Sequence, residues 1–287
     1  MKIIYLLFFI VLSCSACSDG SAPVTSPPGY DLKTPQKFLM DEDLLEISGI
    51  VFLPGNDDSL YAIEDENGRL FYFNPADKSR PRHMKFGKGG DYEDVAVVDD
   101  SSFVVLRSDG SLYVISKDDV RKDKEEARAQ VKDYPDVLPE GEYEGLYGMP
   151  DGTLYALCKN CKTDDQKDEV SVYKLNHRKD GSFAVVSNFT IDVSHINLPK
   201  EQRRGKFHPS CLARHPITHE WYVISSVNKI LLILDDQWKM KAAYSLKPSV
   251  FKQPEGLAFD SKGNMYISNE GGDGNANVLL FRYKKGQ

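Results

Sequence analysis

Short apolar runs alternate with polar turns along this chain, and the alternation recurs as a unit. Gln253-Pro254-Glu255-Gly256-Leu257-Ala258-Phe259 reads as a strand, Asp260-Ser261-Lys262-Gly263-Asn264 as a turn, and Met265-Tyr266-Ile267-Ser268-Asn269-Glu270 as a second strand with Met265 and Ile267 on one face. Four earlier stretches open in the same way: Glu46-Ile47-Ser48-Gly49, Asp91-Tyr92-Glu93-Asp94, Glu142-Tyr143-Glu144-Gly145 and His208-Pro209-Ser210-Cys211. Aligned on the fourth residue of each opening, the units begin at Gly49, Asp94, Gly145, Cys211 and Gly256, spaced 45, 51, 66 and 45 residues apart. Periods near 45 with several strands per repeat are those of propeller blades, each a four-stranded sheet stacked on its neighbours. A solenoid fits less well, because helical patterns are scarce.

The expected fold is therefore all-β: a β-propeller of five four-stranded blades, with a sixth left open by the long stretch 176–206. Strands are predicted at 48–53, 60–63, 70–73 and 83–86; at 95–98, 103–106 and 112–115; and at 145–149, 154–157, 170–175 and 184–191. Two further groups follow at 212–214, 221–224, 230–234 and 242–246, and at 257–259, 265–268 and 278–283. The last unit lacks a fourth strand, and 31–39 is the segment available to supply it, joining the two ends of the ring and removing an exposed edge. The polar segment 119–130 is predicted as a solvated helix.

The N-terminus changes the compartment. Met1-Lys2, the apolar run 3–12 and Ser15-Ala16-Cys17 read as a bacterial lipoprotein signal over residues 1–16, with Cys17 rather than Cys14 as the lipidated N-terminus; simple secretion is the alternative. The apolar run is too short to span a membrane. Residues 17–36, rich in Ser, Pro and Gly, read as a flexible tether, and 37–287 as one propeller domain. The expected location is the cell envelope, with the chain held to the outer membrane by lipid, on its periplasmic or its outer face, as a monomer. In that oxidising setting Cys158 and Cys161, a C-x-x-C at a strand end, are expected to form a local disulfide. A redox motif would need a βαβ context, and zinc would need more ligands.

Net charge sharpens the choice of partner. The formal charge is −7, and −8 once residues 1–16 with Lys2 are removed, which argues against nucleic acid or anionic lipid and for cations. In a propeller the first strand of each blade lines the channel. Strand alternation then places Ser48, Glu93, Glu144, Ser210 and Glu255 in one layer, and Glu46, Asp91, Glu142, His208 and Gln253 in a second. Six carboxylates would converge: Glu46, Asp91, Glu93, Glu142, Glu144 and Glu255. Such a set repels itself unless some members are protonated or a cation is present, and all-oxygen ligation suits Ca²⁺. The alternative is that each Glu caps the neighbouring blade through backbone N–H groups. His83, His177, His215 and His219 read as surface loop residues, and no nucleophile-elbow, zinc-protease or phosphate-loop motif occurs.

The order and spacing of these openings resemble the SdiA-regulated family of bacterial envelope proteins, which shows an E-x-S-G opening, later E-G openings, an S-G opening and a final Q-x-E-G. Here they correspond to Glu46-Ile47-Ser48-Gly49, Tyr92-Glu93-Asp94, Tyr143-Glu144-Gly145, Pro209-Ser210-Cys211 and Gln253-Pro254-Glu255-Gly256. Asp94 and Cys211 stand where the family has Gly. The family also tends to end each second strand with an acid; this chain keeps Asp65 and Glu270 but has Ser108, Lys159 and Ser226 elsewhere. The resemblance implies a propeller with calcium binding and no established biochemical activity.

Two functions follow as expectations. One is a non-catalytic binding module with a calcium-type cation in its channel and a small-molecule or protein ligand at its rim. The other is a calcium-dependent hydrolase of lactones or phosphate esters, as in the similar-looking regucalcin, paraoxonase and alkaline phytase propellers. There Glu93, Glu144 and Glu255 would hold the metal and His208 or Asp91 would serve as base.

Overall fold

A computed structural model describes residues 26–77, 79–120, 131–162, 168–178, 180–196, 205–272 and 274–286. The expected signal segment, the expected lipidation site Cys17 and most of the expected helix (121–130) lie outside these residues.

Among the described residues the first strand is β1 (Gln36–Leu39), and four complete blades follow it. Blade one is β2 (Ile47–Leu53), β3 (Asn56–Glu64), β4 (Arg69–Phe73) and β5 (Arg82–Lys85). Blade two is β6 (Tyr92–Val98), β7 (Ser102–Arg107), β8 (Leu112–Ser116) and β9 (Lys132–Tyr134). Blade three is β10 (Gly141–Gly148), β11 (Thr153–Cys161), β12 (Glu169–His177) and β13 (Phe183–Asp192). Blade four is β14 (Cys211–Arg214), β15 (Trp221–Ser225), β16 (Ile230–Leu234) and β17 (Met240–Ser245). The last unit supplies β18 (Pro254–Phe259), β19 (Met265–Asn269) and β20 (Asn277–Phe281), and β1 completes it. Gln36 pairs with Leu280 and Leu39 with Asn277, antiparallel, so first and last strands close the ring.

The blades number five. Within the stretch that left room for a sixth, residues 176–177 and 183–192 belong to the outer two strands of blade three. The inner strands β2, β6, β10, β14 and β18 touch one another in succession around the axis. The apolar core is correspondingly split into five wedges, one between each neighbouring pair of blades. Phe71, Phe103, Leu154, Leu232 and Met265 are fully buried in these wedges, and each contributes about 1.5–3 kcal/mol by leaving water.

Part of the segment expected as a tether, 17–36, is described. Residues 26–35 are folded onto the propeller, with Tyr30 and Leu32 buried in the wedge between blades four and five. A Pro- and Gly-rich composition reads as linker, but Tyr30 and Leu32 give this stretch enough apolar surface to dock.

Candidate functional site

The axial acids owe their direction to β-bulges. In blade two, Tyr92 pairs with Arg107 and Asp94 with Leu106, leaving Glu93 as an extra residue. Glu144 is extra in the same way between the Tyr143–Cys158 and Gly145–Leu157 pairs, and Glu255 between Pro254–Asn269 and Gly256–Ser268. In blade one, Ser48 and Gly49 together oppose Ile63. A bulge bends the strand and re-aims the inserted side chain. Strict alternation was the basis for grouping Glu93, Glu144 and Glu255, and in the structure each of the three is the extra residue of a bulge.

In the deep layer the side chains are engaged with one another. Glu93 and Glu144 share a hydrogen bond, and Lys159 Nζ donates to Glu144 Oε1 at 2.5 Å. Burial raises both carboxyls, and the charges of Glu144 and Asp91 raise Glu93 further. Glu255 accepts from Ser210 and Ser226. Its pKa still rises to about 7, because burial and the Glu144 charge outweigh those bonds and Lys159. Burial alone would lower Lys159, but its bond to Glu144 and the charges of Glu144, Glu93 and Glu255 raise it instead.

A second group gathers nearer the mouth. Glu46, Asp65 and Glu270 each offer a carboxylate oxygen, all within 4.8 Å of one another. Asp65 Oδ1 is buried with no hydrogen-bond partner. Burial, then the charges of Glu46, Glu66, Glu64 and Asp91, lift Asp65 to about 6. Burial, then Glu255, Glu46, Asp65 and Glu144, lift Glu270 to about 8. Gln253 Nε2 donates to Glu270 Oε2 at 2.7 Å, fixing its orientation.

The six acids expected to converge are thus divided. Glu93 and Glu144 are joined in the deep layer, and Glu255 lies within their field. Glu46 belongs to the mouth group, with Asp65 and Glu270 as partners. Asp91 accepts from Ser108 Oγ at 2.5 Å, and Glu142 is exposed. Of the candidate bases, Asp91 is held by Ser108, while burial and the nearby Lys159 and Lys206 ammoniums lower the pKa of His208. Cys158 and Cys161 are joined in a disulfide. The sequence signal for Lys159 was its place inside C-x-x-C at a second-strand end.

The expectation that the histidines lie in surface loops is corrected, with His83 in β5 and His177 at the end of β12. His215 is not a surface residue but fully buried, with ring contacts to Tyr30, Tyr222, Phe259 and Tyr283.

Residues 25–272 match the profile of the SdiA-regulated family. The chain belongs to the SdiA-regulated family. A search of curated proteins gives no match. Among solved structures, a luciferin-regenerating enzyme superposes with a TM-score of 0.52 at 10% identity, over 88% of this chain and 96% of that one. Regucalcin from Agrobacterium tumefaciens, described as a calcium-binding protein, gives 0.48 at 12% identity over 89% and 95%. Virginiamycin B lyase from Staphylococcus aureus gives 0.44 at 11% over 83% and 66%. The first likeness concerns the fold alone, and the other two carry no argument. Within this SdiA-regulated protein, the channel therefore has to be read from its own side chains.

Proposed function

We propose that this SdiA-regulated propeller is a binding module of the cell envelope whose channel mouth takes a calcium-type divalent cation on Glu46, Asp65 and Glu270. The observation that carries this reading is the convergence of three carboxylate oxygens within 4.8 Å. Asp65 Oδ1, buried and unpartnered, is a donor in need of a cation. Burial first and then repulsion among the acids raise Asp65 and Glu270, and a divalent ion would offset both. The donors are all oxygen, as calcium requires, and three of them leave other positions of its shell for water or for a ligand at the rim. Glu93, Glu144 and Glu255, the set that a calcium-dependent hydrolase would use, are occupied with Lys159, Ser210 and Ser226. The lipid anchor at Cys17 belongs to the same proposal, and would hold the module at the outer membrane.

Calcium titration by calorimetry and by thermal melting tests the mouth. The native protein should gain stability with calcium and lose it with chelator, and Glu270→Gln should weaken binding at least tenfold. A melting temperature unmoved by calcium or chelator overturns the reading. Mass spectrometry of the membrane-extracted protein tests the anchor, which Cys17→Ser should abolish.

A further inference from the structure

The ends of the second strands form a ring position of their own: Asp65, Ser108, Lys159, Ser226 and Glu270. Blade three alone supplies a cation there, and it does so with a second bulge. Glu142 pairs with Asn160 and Tyr143 with Cys158, so Lys159 is an extra residue on β11, opposite the bulge that presents Glu144. The Cys158–Cys161 disulfide ties together the residues flanking Lys159. Gly141 makes room for it: a Cβ at that position would lie 2.8 Å from Cys161 Sγ. Bulge and disulfide together fix the backbone from which the ammonium reaches Glu144.

We propose that Lys159 is a tethered cation that fills the deep acidic layer and confines metal binding to the mouth, so that it sets how many divalent ions the channel holds. Its ammonium lies 2.5 Å from Glu144 Oε1, a charge-assisted contact, with the Glu144 side chain only 9% exposed. Glu93 is bonded to the same Glu144, and Glu255 is close enough to Lys159 to feel its charge. A divalent ion in this layer would meet an immobilised like charge, whereas the main charges acting on Asp65 and Glu270 at the mouth come from other acids. The same surroundings argue against Lys159 as an amine nucleophile, which must be neutral to react.

The inference rests on the proposed mouth site for its first bound ion only, and calorimetry separates the two. The native protein and Lys159→Arg should each bind one calcium per chain, and Lys159→Met should bind two. If the native protein binds none and Lys159→Met binds one, the mouth reading fails and the role of Lys159 stands. If Lys159→Met folds and binds the same number of ions as the native protein, the inference is overturned. Should Lys159→Met fail to fold, the native protein still decides. Labelling of Lys159 by isotopic acetic anhydride, followed by peptide mass spectrometry, should be unchanged by saturating calcium. Calcium-enhanced labelling would mean that metal displaces the ammonium, and would overturn the inference.

Discussion

The Tyr30 hydroxyl donates to the Gly263 carbonyl at 2.5 Å, across 233 residues of sequence. Gly263 sits in the β18–β19 turn with φ +82°, a left-handed conformation that a side chain would strain. The bond ties the segment before β1 to the blade that β1 completes, so the ring is closed by strand pairing and again by side-chain docking. Tyr30→Phe should lose about 1 kcal/mol, one buried hydrogen bond. Tyr30→Ala should lose about 3–5 kcal/mol, because it also empties a packed aromatic site. Urea unfolding of both variants measures the difference; equal losses would show that the ring itself contributes nothing.

His215 lies against Tyr30 and gives that closure a pH dependence. Its Nδ1 accepts the N–H groups of Ile217 and Thr218, both at 3.1 Å, which fixes the neutral tautomer with its proton on a buried, unpartnered Nε2. Burial lowers its pKa to about 4, against 6.5 for the free side chain. The folded state therefore binds this proton less well than the unfolded chain. The resulting stability is complete above about pH 6.5 and is lost as pH falls through 4. Melting curves between pH 7 and pH 4 should show this decline, and His215→Gln should flatten it from a lower starting point. An unchanged slope in that variant would assign the decline to other groups.

The repeat was legible because five openings and their turns fall at blade spacing, and because β20 lacked an outer partner that β1 could supply. Strand β9 was not, since Lys132-Asp133-Tyr134 has no apolar alternation to mark it. Glu93, Glu144 and Glu255 could be assigned to the axis from their common place before the aligned residue. Their bulges could not be read, because an extra residue is defined only by what the partner strand pairs with. The mouth group escaped for a related reason. Its three acids come from a first-strand approach and from two second-strand ends, so no single repeat position unites Glu46, Asp65 and Glu270. His215 and Tyr30 meet only through the closure of the ring.

Asp94 occupies a position where the family has Gly, and the structure gives it a bridging role. Its carboxylate accepts Val95 N–H at 2.8 Å and, from the next blade, Leu146 N–H at 2.7 Å. Gly49 faces it from blade one, where a Cβ would overlap the Asp94 carboxylate and backbone. Asp94→Ala should cost about 1–3 kcal/mol by leaving the buried Leu146 N–H unpaired. Gly49→Ala should cost about 1–3 kcal/mol by overpacking. The double variant should be less destabilised than the sum of the two, because truncating Asp94 removes the overlap of the new methyl with Oδ1, leaving only those with Asp94 Cα and Val95 N. Strict additivity in a denaturation cycle would refute this coupling.

The channel acids oppose His215 in sign, and calcium should reveal it. Asp65, Glu255, Glu270 and Glu93 have folded pKa values raised to about 6, 7, 8 and 10. The folded state binds these protons more tightly than the unfolded chain, so their contribution is complete below about pH 4 and is lost as pH rises through each value. Calcium must displace protons from Asp65 and Glu270, so it competes poorly in acid and replaces the lost stabilisation in base. The calcium-induced rise in melting temperature should therefore be small at pH 5.5, larger at pH 7 and largest near pH 8.5. Glu270→Gln removes the highest of the mouth titrations, so most of that increase between pH 7 and 8.5 should vanish. A calcium effect independent of pH in the native protein would place the ion on groups other than Asp65 and Glu270.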